Sequence, residues 1–344
     1  MNDRITLKCV SDSDYELWND FVYSNSDSDY THLFEWQKIF EGSYSLKTLY
    51  LGVFYENKLI GVLPSVFIKY PFKRKTLCSL PYLNFAGLIT NNYADKSEII
   101  KNIVNFLRTD NVSKIELRNF YPQGDSTTGN CTLLLQLPKD ENILWDDLKP
   151  KVRNQIRKAY KHGFNISWGK ENLDQFYDVY KHNMHDLGTP VHSIKFFKSI
   201  VEKFPDHTDI LTLFKDNTAV SSMFIFKFKN RIADPWASSL KEFNEHCPNM
   251  LMYWEAFKYG IQNGFSEFDL GRSQFGSGTY NFKMQWGAKP VNLRYETLNI
   301  VTGEYEKSDQ FYRQKKAVFI ANLWKKLPRY LTDIVGPKLR PYLP

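Results

Sequence analysis

Cysteine is scarce in this 344-residue chain: Cys9, Cys78, Cys131 and Cys247 are scattered, and no two form a Cys-x-x-Cys pair. That argues against a disulfide-dense scaffold or a thiolate zinc site, and points to reduced thiols in a cytosolic protein. No run of about 18 apolar residues occurs, so no segment is expected to span a bilayer. The opening residues lack the basic and apolar regions of a signal peptide. A soluble globular protein of two ordinary domains fits the length, the 42% hydrophobic content and the 24% charged content. Aromatic residues are abundant by contrast, at 16%. Such a surplus suits apolar grooves or large cores.

Acidic residues are nearly missing from the last stretch. Between Arg313 and Pro344 there are eight Lys or Arg and only Asp333, a surplus equal to the net charge of +7 for the whole chain. Ile320, Leu323, Trp324 and Leu327 fall at i, i+3, i+4 and i+7, with Asn322, Lys325, Lys326 and Arg329 on the other side. A basic amphipathic helix is expected there, with Pro328, Pro337, Pro341 and Pro344 interrupting any helix toward the C-terminus. Such a helix suits an anionic membrane surface, a nucleic acid, or docking on its own domain with a solvated basic face.

An internal duplication organises the rest. Residues 49–63 and 210–223 each read as two strands around a tight polar turn, and aligning Asn57 with Asn217 superimposes Phe54 on Phe214 at a constant offset of 160. Helical stretches precede each hairpin, at 12–25 and 33–42 and again at 172–187 and 194–204. Another helix comes after each, at 97–108 and 248–263. Two copies of one α+β unit of about 150 residues are expected. Between them, residues 133–137 read as a strand, and 140–163 as a helix with a basic centre.

The most chemically suggestive stretch runs from 266 to 287. A buried strand over 266–270 opens through Gly271, Arg272 and Ser273 into glycines and a short helix that carries Lys283 between Phe282 and Trp286. Backbone N–H groups at such a helix start are open to an anion or oxyanion. A lysine among aromatics, where water is partly excluded, acts strongly on developing negative charge. Acyl transfer fits this better than redox or metal chemistry. The bland alternative is turn glycines and a lysine whose stem lies along apolar surface.

Two further groups stand out. Arg153 and Arg157 share one helical face, and a pair of guanidiniums can grip a diphosphate bidentately; a solvated helix is the alternative. His182, His185, Asp186 and His192 surround the Gly188–Pro190 turn, but their spacing matches no standard metal site, and no metal is expected. His185 and Asp186 remain candidate proton acceptors.

Residues 153–159, the 186–190 turn, 268–273 and 278–287, in this order, resemble the Fem family of aminoacyltransferases, and more narrowly a branch encoded with exopolysaccharide and exosortase systems. Residues 79–87 resemble its first-domain signature, and 327–337 its tail. The resemblance implies two tandem acetyltransferase-like (GNAT) domains with a groove between them, here placed at 1–138 and 139–312, with a basic tail at 313–344. It implies that Lys283, preceded by Phe282, stabilises charge at the transferred carbonyl. It also implies that Arg153 and Arg157 meet acceptor phosphate. Arg272, Ser273, Gly278, Tyr280 and Trp286 complete the expected substrate surface, with Asp186 and Asp269 as candidate bases.

The implied reaction is amide formation on a peptidoglycan or exopolysaccharide precursor borne on a diphosphate or lipid carrier. No tightly bound cofactor is needed. Aminoacyl-tRNA and acyl-CoA both stand as donors. The helical hairpin that peptidoglycan members use toward tRNA is missing, while residues 274–278 come within one residue of an acyl-CoA loop. An acyl-CoA-dependent N-acyltransferase on an amino sugar is the rival enzyme, and an inactive membrane-associated scaffold the rival outside enzymes. A cytoplasmic protein touching the anionic inner membrane face through 313–344 is expected.

Overall fold

The computed structural model describes residues 5–68, 75–91, 95–108, 112–121, 129–306 and 318–343. The chain divides into two compact units. The first holds Met1–Pro122, Leu293–Gln310 and Pro341–Pro344; the second holds Gln123–Asn292 and Phe311–Arg340.

In the first unit β1 (Ile5–Cys9), β2 (Thr48–Tyr55), β3 (Lys58–Ile68), β4 (Lys75–Cys78) and β6 (Val112–Tyr121) lie side by side in that order. A two-residue strand, β5 (Ile89–Thr90), pairs off β3. Pairing is antiparallel except between β4 and β6, which run parallel. The helices α1 (Tyr15–Ser24), α2 (Trp36–Tyr44) and α3 (Lys96–Leu107) bury residues at helical spacing: Trp18 and Val22, Trp36 with Ile39 and Phe40, and Ile99, Ile103 and Leu107. That stripe is what a helix laid on a sheet requires.

The second unit repeats the plan. Its order is β7 (Asn130–Gln136), β12 (Glu267–Gln274), β11 (Arg231–Ser239), β10 (Thr218–Phe228), β9 (Thr208–Lys215) and β8 (Asn165–Trp168), and β11 and β12 form its one parallel pair. Its helices are α4 (Glu141–Asp147), α5 (Pro150–His162), α6 (Leu173–Leu187), α7 (Ile194–Lys203), α8 (Pro248–Gln262), α9 (Gly278–Met284), helical residues 318–324 (α10) and α11 (Arg329–Leu339). Among the described residues, no helix is long and apolar enough to cross a membrane.

The expected hairpins are present at the expected offset. Glu56 and Asn57 turn β2 into β3 with φ of +47° and +67°, and Asp216 and Asn217 turn β9 into β10 with +48° and +64°. Two consecutive positive φ values match the twist of a two-residue hairpin, and Asn tolerates them.

The expected cuts at 138 and 312 differ from the observed division. β7 comes after the first unit in sequence, yet it pairs antiparallel with β12, from Glu267 opposite Gln136 to Gln274 opposite Asn130. Strand β13 (Lys289–Asn299) lies beside β6, and Leu298 and Ile300 join the core of Leu51, Leu77 and Ile115. Each unit is therefore completed by a strand distant in sequence. The 140–163 helix is also two helices, broken at Pro150, which takes the first position of α5. Residues 313–317 of the expected tail lie outside the described residues. Beyond them Pro337 does not prevent a helix; it sits in the last turn of α11.

Leu133, fully buried in β7, offers a test. Leu133→Ala should cost about 2–5 kcal/mol in urea unfolding. Amide exchange should quicken in β11 and β12. Quickening confined to β4 and β6 would return β7 to the first unit.

Candidate functional site

Strand β12 does not run straight. Between Asp269 and Arg272 it advances three residues while β7 advances two, from Leu134 to Thr132, so one extra residue bulges from the ladder. Gly271 sits in that bulge with φ of +74°, a conformation that favours glycine. Asp269 holds it in place. Its Oδ1 accepts from the Gly271 amide at 2.8 Å and from the Thr132 hydroxyl. The expected strand at 266–270 thus extends to Gln274, with the glycine inside it.

The bulge turns two carbonyls toward α9. Lys283 Nζ donates to Gly271 O at 3.0 Å and to Arg272 O at 3.2 Å. Lys283 is only 8% exposed. Helix α9 sets its position: Ser277 caps the helix by accepting from the Tyr280 amide, and the short turn before it carries Gly276 at φ +74°. Phe282 meets Tyr253 edge to face at 5.2 Å, and Trp286 packs edge-on to Phe257 at 5.1 Å. These contacts hold the helix on the core.

Burial pushes the Lys283 ammonium below its ordinary pKa, while the charges of Asp234 and Asp269 oppose that shift. An ammonium has three hydrogens, and two are held by the bulge carbonyls. The third has no hydrogen-bond partner among the described residues.

Asp234 is the partner that the sequence did not reveal. It lies in β11, just past Ala233, where the parallel pairing of β11 with β12 ends opposite Asp269 although both strands continue. Its Oδ2 accepts from Tyr253 OH at 2.6 Å, and its Oδ1 has no hydrogen-bond partner among the described residues. Burial raises its pKa to about 7, with Lys283 pulling the other way. Ser273 Oγ and Trp286 Nε1 are likewise buried without a partner among the described residues. Of these groups Asp234 is close enough to Lys283 for each to shift the other's protonation, and a buried carboxyl and ammonium coupled in this way make a candidate site. Burial also raises the Cys131 thiol to about 11, which keeps it out of nucleophilic chemistry near neutral pH.

Of the other expected site residues, Asp269 serves as the brace of the bulge. The Arg272 side chain is exposed, while its carbonyl takes Lys283. Tyr280 packs its ring against Phe275 at 5.4 Å, and Gly278 opens α9 at the surface. Helix α5 buries Val152, Ile156 and Ala159. On its other side Arg153 lies 3.9 Å from Asp146, and Arg157 lies over the Trp145 ring and bonds Asn154. Asp186 pairs with Lys241 at 3.3 Å.

The three histidines of the 182–192 turn hold the C-terminal segment. His185 Nε2 donates to Leu327 O at 3.0 Å, Arg329 donates to His182 Nδ1 at 3.0 Å, and Arg340 donates to His192 Nε2 at 3.1 Å.

Residues 148–284, which include Asp234, Asp269 and Lys283, match the model of the acetyltransferase (GNAT) domain family. The crystal structure of FemX is similar with a TM-score of 0.64 at 13% identity, covering 91% of this chain and 100% of that one. A tandem GNAT protein from the clavulanic acid biosynthesis pathway gives 0.56 at 8% identity, covering 89% and 100%. L-PGS from Bacillus licheniformis gives 0.54 at 11%, covering 93% and 99%. No curated protein sequence matches the chain. The fold is a tandem GNAT fold, as the duplication and the Fem resemblance implied. At these identities the likeness concerns the fold alone.

The Asp234 assignment has a pH signature. A carboxyl whose pKa is raised on folding stabilises fully below its ordinary value of 3.8, and that contribution is lost as pH rises through about 7. Asp234→Asn should flatten the fall in unfolding free energy across this interval. An unchanged slope would contradict the assignment.

Proposed function

We propose that the chain is an N-acyltransferase that forms an amide by direct attack of an acceptor amine on an activated acyl ester or thioester. The observation that carries this reading is Lys283, buried and clamped on two bulge carbonyls with one hydrogen left to donate. The amine nitrogen bonds to the acyl carbon, the carbonyl oxygen becomes an oxyanion, and Lys283 meets that charge where little water competes. The bond to the leaving sulfur or oxygen then breaks, and the leaving group takes up the proton the amine has lost. No covalent enzyme intermediate is required. Asp234 acts through Lys283 by setting its charge, and Asp269 positions the bulge.

The opening beyond Ala233 and Asp269 leaves strand-edge backbone groups that suit the extended, amide-bearing arm of an acyl thioester. The acetyltransferase description of the matched family agrees with an acyl-CoA donor. The Fem resemblance supports an aminoacyl donor and an amine on a cell-envelope precursor, with Arg153 and Arg157 toward its phosphates.

Thiol release from a panel of acyl-CoAs, and deacylation of aminoacyl-tRNA, should be monitored in the presence of amino-sugar and peptide amines. Turnover with one donor class is expected. Lys283→Met should lower kcat by on the order of 10²–10³ in a protein that still folds, with some fall in melting temperature because the two bulge carbonyls lose their donor. Retained turnover in that variant would remove Lys283 from the chemistry, and no turnover with either donor would favour a scaffold.

A further inference from the structure

The C-terminal helical hairpin is inside out. Helix α11 buries Thr332 and Gly336 and turns Tyr330, Leu331, Ile334, Val335 and Leu339 outward, at i, i+1, i+4, i+5 and i+9. Tyr330 is 66% exposed and Ile334 58%. Helix α10 does the same: Trp324 points inward, and Val318, Phe319, Ile320 and Leu323 are exposed, Phe319 at 65%. A helix of a soluble domain puts its apolar stripe on the core. Here the stripe faces away from it.

Loose docking is not the reason. A Cβ on Gly188, which has φ of +74° at the end of α6, would come within 2.4 Å of the Ala321 carbonyl oxygen, so α10 lies directly on that turn. A Cβ on Gly336 would meet Val191 at 3.1 Å and the Trp324 ring at 3.6 Å, so α11 is packed against both. The hydrogen bonds from His185 and to His182 and His192 add polar fastening on the same inner side. The hairpin is held by Trp324 together with small and polar groups, which leaves its other apolar side chains on display.

We propose that this outer face, across residues 318–339, docks on the surface of an anionic lipid bilayer. The charges around it select that occupant. Lys325, Lys326, Arg329 and Lys338 are exposed around the apolar stripes, and Asp333, half-buried, is the lone acid of the segment. Apolar side chains entering the acyl boundary beside lysines at the headgroup level is the pattern of an interfacial helix. A second copy of this chain fits less well, because a two-fold contact brings the same basic rim against itself. The inference is independent of the chemistry at Lys283.

The test is co-sedimentation of the full-length protein with vesicles of phosphatidylcholine alone or with about one third phosphatidylglycerol. Binding to the anionic vesicles, and much weaker binding to the neutral ones, is expected. Lys325→Gln with Lys326→Gln should weaken it roughly thirtyfold, and Tyr330→Glu with Ile334→Glu should abolish it. All four side chains are exposed, so the melting temperature should be unchanged. Failure to bind anionic vesicles would overturn the proposal, as would binding that survives Tyr330→Glu/Ile334→Glu. A concentration-dependent dimer that ignores vesicles and dissociates in that variant would assign the face to a second copy and overturn it equally.

Discussion

The Lys283 ammonium depends on a strand that carries one residue too many. Without the bulge at Gly271, the carbonyls of Gly271 and Arg272 would join the ladder with β7 and have nothing to offer a lysine. Without those carbonyls, a buried cation would carry a desolvation cost with no direct hydrogen bond to offset it. Asp269 therefore matters as a brace. It holds the glycine amide, keeps the bulge open, and adds negative charge near Lys283.

The same economy of position explains Asp234. The parallel strands β11 and β12 stop pairing at Ala233 and Asp269, and the next residue of β11 is the carboxyl facing the Lys283 region. A buried carboxyl and a buried ammonium shift each other's protonation, so the charge at the site is a property of the pair. Tyr253 from α8 occupies one oxygen of Asp234 and packs its ring against Phe282 and Trp286. Part of the aromatic surplus of the sequence packs here, where Tyr253, Phe257, Phe282 and Trp286 meet.

Much of this was legible in the residues. The two hairpins announced themselves because a two-residue turn with consecutive positive φ values restricts its residues, leaving Glu56–Asn57 and Asp216–Asn217 as matched punctuation. The lysine between aromatics was visible because helix spacing is local. The strand that completes each unit was not legible: β7 pairs with β12 across more than a hundred residues, and nothing in a short apolar strand names its partner. Asp234 was missed because Asp234-Pro235 reads as a turn. The signal was there, a carboxyl between Ile232-Ala233 and Trp236 in an otherwise apolar run. The partners of the histidines of 182–192 were not legible either, since the groups they bond lie at the far end of the chain.

Lys283 is a buried cation whose protonation depends on its carboxyl neighbours Asp234 and Asp269. Carbon-13 labelling of lysine, with Lys283→Met to assign the signal, would track its titration directly by NMR. A midpoint below the ordinary 10.5 is expected, falling further in Asp234→Asn as the opposing negative charge is removed. A lysine that titrates at its ordinary value, indifferent to Asp234, would contradict it.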